Sequence, residues 1–192
     1  MAYYLTTPFE VSSIAFKFDI KVDWPSDQVL AGLPVPERAV KNPILVSTRR
    51  TNLPDLVHFE AYYTGVSEAA LTLLTEFAAD DIATFPIVIE SRKLGPVYGK
   101  YFYLNVLAYR DSLILDELNY REQRMGSSGT IRIVDHSKLR MRKDRIRGAH
   151  IWHETYPQVR RRHELFASDE LVEKARSRGL SGFEKVVPIP EI

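Results

Sequence analysis

With 192 residues, 45% of them hydrophobic and 27% charged, the chain can bury the core of one soluble globular domain. The absence of cysteine excludes disulfides, thiolate nucleophiles and cysteine-ligated metal centres, and it fits a reducing compartment. The net charge of +1 is unevenly divided, because residues 1–120 carry 10 basic and 15 acidic side chains whereas residues 121–192 carry 16 and 10. The basic second part is suited either to steering an anionic partner or to forming a solvated face.

The sequence carries no signal for membrane insertion or secretion. No apolar run approaches the roughly 20 residues that span a bilayer. The first residues, MAYYLTTPFE, lack a basic segment followed by an apolar one, so no signal peptide is predicted. We therefore expect a cytoplasmic protein without a membrane partner.

The start of the chain predicts strands joined by an extended wrap. Large apolar side chains recur at every second position of residues 14–20, which is the period of a strand. Residues 25–44 contain four prolines and predict a loop or an extended wrap, and the apolar run at residues 44–46 predicts a strand. We interpret residues 1–50 as an N-terminal arm packed on a domain of residues 51–192, the two forming one compact unit.

The strongest helix prediction covers residues 67–80. Ser67 can accept a hydrogen bond from a free amide of the first turn, and Glu68 suits the positive end of the helix dipole. Apolar side chains at helical spacing predict its core face, namely Ala70, Leu73, Leu74, Phe77 and Ala78. Runs rich in β-branched and aromatic residues predict strands at residues 56–59, 85–89, 101–107 and 112–116.

The middle of the second half predicts a loop and two further strands. The polar segment 121–130 predicts an exposed loop with glycines and serines at its tip, followed by a short strand at residues 130–134. Residues 139–147 alternate arginines with apolar residues and predict a strand with a basic face. The proline-flanked tail at residues 188–190 is expected to be extended and exposed.

A second helix is predicted at residues 169–178. Ser168 caps its start, and Gly179 supplies the left-handed residue that ends it. A narrow apolar stripe faces the core, formed by Leu171, Val172 and Ala175. A short strand is expected to begin at Gly182. The sum is an α+β fold with a mostly antiparallel sheet and two main helices, about 67–80 and 169–178.

The pattern His150-x-x-His153-Glu154 is the strongest enzyme signal in the chain. On a helix, two imidazoles at this spacing share a face, and a carboxylate adjoins them. The zinc-protease pattern H-E-x-x-H is absent, and so are the glycine-rich nucleotide-binding motifs. The other interpretation is of histidines that are partly buried and hydrogen-bonded near Trp152. We assign no catalytic residue, no metal ligand and no cofactor.

The segment 121–163 is strongly basic, with 12 lysines and arginines against four acidic residues. Such a segment can contact a phosphate backbone, but no nucleic-acid-binding module is recognisable and apolar residues interrupt the arginines. Arginine and aromatic side chains are also the residues enriched at protein interfaces. We therefore assign partner binding to Arg140, Arg142, Arg145, Arg147, Trp152, Tyr156, Arg160, Arg161 and Arg162.

Two parts of the chain resemble one known family. The segment LFASDELVEKA…GLSGF at residues 165–183 resembles the closing segment of the bacterial polymorphic-toxin immunity protein family typified by a myxobacterial immunity domain, with Ser181 in place of a threonine. Upstream, the apolar residues of 73–87, the run YFYLNV at 101–106 and Asp116 resemble that family's central helix, its strand and the acidic residue that follows. Together the matches span roughly residues 55–187, the scale of a domain.

The resemblance implies a cytosolic, non-enzymatic protein that binds a cognate toxin domain and neutralises it by occluding its active site or locking its conformation. It implies no catalytic residues. Two alternatives stay open, an enzyme that uses His150, His153 and Glu154, and a protein that binds nucleic acid through its basic surface. Self-association into a homo-oligomer also stays open.

Overall fold

A computed structural model describes residues 1–5, 44–46, 53–59, 63–91, 99–114, 120–125, 128–133, 138–155, 165–184 and 186–192. The strand predicted at residues 14–20 and nearly all of the wrap predicted at 25–44 lie outside these residues. Within them, no helix is long and apolar enough to cross a membrane.

The described residues form short strands and three α-helices. The helices are α1 (Glu68–Ala78), α2 (Lys143–Ile146) and α3 (Asp169–Ser177), and a 3-10 turn at Ala79–Asp81 follows α1. The strands are β1 (Ala2–Tyr4), β2 (Ile44–Val46), β3 (Leu56–Phe59), β4 (Tyr63–Ser67), β5 (Ile82–Ile87), β6 (Ile89–Ser91), β7 (Tyr101–Val106), β8 (Tyr109–Arg110), β9 (Leu113–Ile114), β10 (Tyr120–Met125), β11 (Ser128–Ile133), β12 (Arg140–Met141), β13 (Ile151–Glu154), β14 (Leu165–Ser168) and β15 (Val187–Ile189).

The largest sheet joins the two ends of the described chain. Its strand order is β15-β1-β14-β13-β8, and every neighbouring pair is antiparallel except β13 with β8. β1 lies between β14 and β15, with Ala2 opposite both Ser168 and Ile189. Because Ala2, Phe166 and Ile189 are fully buried, residues 2–4 are an integral part of the core.

A second, antiparallel sheet has the strand order β3-β4-β7-β5. Its central strand β7 has the sequence YFYLNV, and Tyr103 and Leu104 are buried on it. Helix α1 follows β4 directly and packs on this sheet and beside α3. Two-stranded ladders complete the topology, β2 with β6, β9 with β12, and β10 with β11. The mostly antiparallel strands and two main helices confirm the predicted α+β class.

Both main helices begin where the sequence predicts, because each start is fixed by a local hydrogen bond. The Ser67 hydroxyl accepts from the Ala70 amide at 3.2 Å, and the Ser168 hydroxyl accepts from the Leu171 amide at 3.2 Å. Gly179 has a φ of 68°, which confirms the predicted left-handed stop after α3. The predicted apolar faces are buried in both helices, with Phe77 partly buried against the core.

A polar node connects the start of α1 to the turn after α3. The Asp55 carboxylate accepts from the Ser67 hydroxyl at 2.6 Å and from the Ser181 hydroxyl and amide at 2.7 and 2.8 Å. The Ser181 carbonyl in turn accepts from the Leu56 amide at 3.1 Å. The GLSGF segment therefore forms a turn that docks on β3, and the strand expected to begin at Gly182 is wrong.

Two predictions in the basic half of the chain are also wrong. The loop predicted at residues 121–130 is largely strand, because β10 and β11 pair in register from Tyr120 opposite Ile133 to Met125 opposite Ser128. Backbone hydrogen bonds hold this ladder together, and they do not require apolar side chains. Because the segment is polar, its sequence shows no alternation of apolar residues from which a strand could be predicted. The strand predicted at residues 139–147 covers two residues, after which the chain turns into α2.

Strand limits and exposure differ at two further places. The strand predicted at residues 85–89 begins earlier, at Ile82, and is interrupted at Val88. The tail is extended as expected, but it is not exposed throughout, because pairing with β1 buries Ile189 completely. In both cases pairing with a neighbouring strand sets the strand limits and the burial. The local sequence does not specify which strand that neighbour is.

We expect Gly182→Ala to destabilise the fold strongly. Gly182 has a φ of +93°, and a Cβ added there would lie 2.4 Å from the Leu56 carbonyl oxygen. The loss in the free energy of unfolding should be about 2 kcal/mol or more, from the unfavourable φ and the displaced strand together. Urea denaturation of both proteins measures it. Gly99→Ala is the matched control, since the same Cβ meets no described atom within 4 Å, and equal effects of the two changes would contradict the argument.

Candidate functional site

The most strongly charged described surface is the basic segment, residues 138–147. Its apolar side chains point inward, with Leu139, Met141 and Ile146 buried. Its basic side chains are all exposed, namely Lys138, Arg140, Arg142, Lys143, Arg145 and Arg147. The alternation of apolar and basic residues that predicted a strand thus places the apolar side chains in the core and the basic side chains in solvent. This separation continues where the backbone becomes helical.

Backbone hydrogen bonds hold the basic segment against the end of the chain. The Met141 amide donates to the Pro190 carbonyl at 2.9 Å, and the Ile192 amide donates to the Met141 carbonyl at 2.8 Å. The Lys143 amide donates to the Ile192 carbonyl at 3.1 Å. On the other side, Met141 pairs with Leu113 in the β9–β12 ladder. The segment is therefore clamped between two extended stretches that are distant in sequence.

Arg110 supports the far end of the segment. Its Nε donates to the Ile146 carbonyl at 2.9 Å, which satisfies a carbonyl at the end of α2, and its Nη2 lies 3.9 Å from the Asp81 carboxylate. The chain then turns through Arg147, which has a φ of 54°, and Gly148, which has a φ of 71°. A left-handed arginine is uncommon, and here it directs the chain from α2 back into the core at Ala149.

A buried carboxylate lies beneath this surface. Glu154, only 1% exposed, accepts hydrogen bonds from the Ser112 amide at 2.8 Å, the Leu113 amide at 3.1 Å and the Trp152 indole at 3.0 Å. The Ser112 hydroxyl donates a fourth, short hydrogen bond. Burial raises the pKa of Glu154 above the ordinary value, although the four donors act in the opposite direction.

The Glu154 carboxylate positions the basic segment through Ser112. The Ser112 carbonyl accepts from the Arg142 amide at 2.8 Å, and the residue after it begins the strand that pairs with β12. The hydrogen bonds that hold Ser112 and Leu113 therefore also fix the backbone position of Arg142. Sequence reasoning singled out Glu154 as an enzyme candidate but missed Ser112, because the two are far apart in the chain and share no motif.

The structure does not bring His150 and His153 together as a pair. Both lie on or next to the strand β13, where residues three apart point to opposite faces, whereas the enzyme hypothesis needed a helix. The His150 Nδ1 lies 2.9 Å from the Ser168 hydroxyl, and its ring packs edge-on against Phe77. The His153 ring packs against Tyr109. Among the residues described, no group of three potential ligands could hold a metal ion.

The residues assigned to partner binding fall into three groups. Arg140, Arg142, Arg145 and Arg147 are exposed together on the basic segment. Trp152 is fully buried and stacks on Phe166, so it belongs to the core and presents no surface to a partner. Tyr156, Arg160, Arg161 and Arg162 lie outside the described residues.

Comparison with known proteins identifies one family. A family model described as an immunity protein family (Imm11) matches residues 17–186, which is most of the chain. A search of curated proteins finds no match.

We expect Glu154→Gln to destabilise the protein while leaving its shape nearly unchanged. The amide group replaces one acceptor oxygen, so the donors that faced that oxygen lose their acceptor in a buried site. The loss in the free energy of unfolding should be about 1–3 kcal/mol at neutral pH. Chemical denaturation measures it, with Glu173→Gln on the exposed face of α3 as control. A loss no larger than that of the control would contradict the assigned role.

We also expect Glu154 to give the protein a characteristic pH dependence. Since the pKa of Glu154 is raised in the folded state, the folded protein binds the proton more tightly than the unfolded chain. The free energy of unfolding of the wild type should therefore increase, relative to that of Glu154→Gln, as the pH falls from neutral to about 5. Denaturation of both proteins across this range tests the prediction, which fails if the difference is constant or narrows at low pH.

Proposed function

Because the chain belongs to the Imm11 immunity protein family, we propose that it is a non-enzymatic immunity protein that binds and neutralises a cognate bacterial toxin domain. The match over residues 17–186 is the observation that carries this proposal. We place its action in the bacterial cytoplasm, as part of a polymorphic toxin system. Neutralisation would occlude the active site of the toxin or lock its conformation.

The basic segment is the surface that we assign to toxin binding. Its exposed arginines are of the residue type that contributes most at protein interfaces. Its backbone is held by residues of β9, by Arg110 and by the end of the chain, so little conformational entropy has to be lost when a partner docks. These features favour it over the exposed helix faces, where oppositely charged neighbours such as Glu173 and Arg176 are already paired.

The chemistry around Glu154 supports a binding protein. The buried carboxylate accepts hydrogen bonds from neighbouring donors, one of which is the fully buried Trp152. A general acid or base has to reach the proton that it transfers, and a side chain that is 1% exposed does not present itself to a substrate. We therefore give Glu154 a positioning role beneath the basic segment.

We expect this chain to form a complex with the toxin domain encoded next to it. When the two are co-expressed in a bacterial host, the chain should restore growth and co-purify with the toxin. The double substitution Arg142→Ala and Arg147→Ala should weaken binding by about tenfold or more, since truncated interface arginines are costly. Isothermal titration calorimetry measures the affinity.

Lys100→Ala is the control for this experiment. Lys100 is exposed and pairs with Glu68 at the first turn of α1, whereas Arg110, which supports the basic segment, reaches Asp81 beyond the last turn. The control therefore removes a cation at the opposite end of α1. Failure of the wild-type chain to bind or protect against any neighbouring toxin would contradict the proposed function, and a double variant that binds normally would contradict the assigned surface.

A further inference from the structure

We propose that the basic segment recognises a carboxylate-rich face of the toxin domain, so that the toxin docks through an acidic surface and not through one that binds phosphate. The proposal rests on the proposed function and adds to it the chemistry of the partner. It follows from the charge, the rigidity and the composition of residues 138–147.

The positive charge of the segment is concentrated in a short stretch of the chain. Six cationic side chains and one carboxylate, Asp144, occupy ten consecutive positions. Arg145 lies 3.8 Å from Asp144, at the outer limit of an ion pair. Within the part of the chain that the structure describes, the side chains of Arg142, Lys143 and Arg147 have no acidic partner. A protein that keeps like charges this close on its surface benefits from an anionic partner that relieves their repulsion.

The backbone presents these cations in a fixed arrangement. The Arg142 amide is bonded to Ser112 at 2.8 Å and the Lys143 amide to Ile192 at 3.1 Å. The Met141 side chain is fully buried, and Ile146 on the short helix α2 is also buried. A fixed backbone lets a planar guanidinium group donate two parallel hydrogen bonds to a carboxylate without first ordering the chain.

The composition of the segment favours a protein over a nucleic acid. Residues 138–149 contain no aromatic residue, so the segment offers no platform on which bases could stack. The whole chain has a net charge of only +1 and an isoelectric point near 7.9, whereas domains that bind phosphate backbones are usually strongly basic. A local basic cluster on a nearly neutral protein fits a discrete acidic patch better than a continuous phosphate backbone.

The charge of the partner constrains which face of the toxin is covered. A toxin that cleaves or modifies nucleic acid binds its substrate through a basic surface, and the basic segment would repel that surface. The covered face is therefore one that carries carboxylates. Binding there blocks a site for a cationic substrate or a metal ion, or holds the toxin in one conformation.

The test is the association kinetics of the full chain with the purified toxin domain, at low and high salt. The single reversals Arg142→Glu and Arg147→Glu should each slow association by about tenfold at low salt, because rim charges act mainly on the association rate. The wild-type rate should fall with added salt, and the rates of the reversals should depend less on salt. Lys100→Glu, which changes the net charge by the same amount at the far end of α1, should alter the rate by less than about threefold.

A conservative variant and a competitor complete the experiment. Arg142→Lys should retain most of the association rate, since the charge is kept, and circular dichroism should show every variant folded. A complex that forms equally fast with the reversals and with Lys100→Glu would overturn the acidic docking face while leaving toxin binding intact. Duplex DNA serves as the competitor. If the wild-type chain binds this DNA in competition with the toxin, and Arg142→Glu abolishes that binding, the acidic docking face is overturned in favour of phosphate recognition. Absence of any complex with wild type would overturn the proposed function itself.

Discussion

Four hydrogen-bond donors converge on the buried carboxylate of Glu154, and the position of the basic segment depends on them. An ionised carboxylate in a core is costly unless its oxygens are fully hydrogen-bonded. Here two amides, a hydroxyl and an indole supply those bonds, and they come from Trp152 on β13, from Ser112 and from Leu113 at the start of β9. The Ser112 carbonyl accepts a hydrogen bond from the Arg142 amide, so one residue, Ser112, links the core carboxylate to the basic segment.

A second carboxylate, Asp55, also links distant parts of the chain, at the start of α1. Asp55 joins the cap of α1 to the turn at Ser181, and Gly182 lets that turn approach β3 closely. These contacts explain why the GLSGF segment, which carries much of the family resemblance, contains no chemistry of its own. It is the closing turn by which the last helix is attached to the second sheet.

The structure therefore separates a scaffold from a surface. The scaffold consists of two sheets and two helices that share one core, with Trp152, Phe166 and Phe183 fully buried in it. The surface is a ten-residue segment clamped to that scaffold by backbone hydrogen bonds. A segment that is held by backbone hydrogen bonds leaves its side chains available for contacts with a partner.

The sequence by itself determined the features that depend on neighbouring residues. Ser67 and Ser168 fix the starts of the two main helices, and Gly179 fixes the end of α3, through bonds and backbone conformations within one turn. The apolar faces of both helices follow from helical spacing. The family resemblance and the exposed arginines of residues 140–147 were also readable from the chain.

Tertiary structure alone decided what depends on contacts between distant residues. Pairing between strands made a hairpin of residues expected to form a loop, and it buried Ile189 in a tail expected to be exposed. Burial removed Trp152 from the surface, and the strand conformation of β13 separated His150 from His153. The link from Glu154 to Ser112 spans 42 positions and has no local signature, because a hydrogen bond between distant residues leaves no periodic pattern in the sequence.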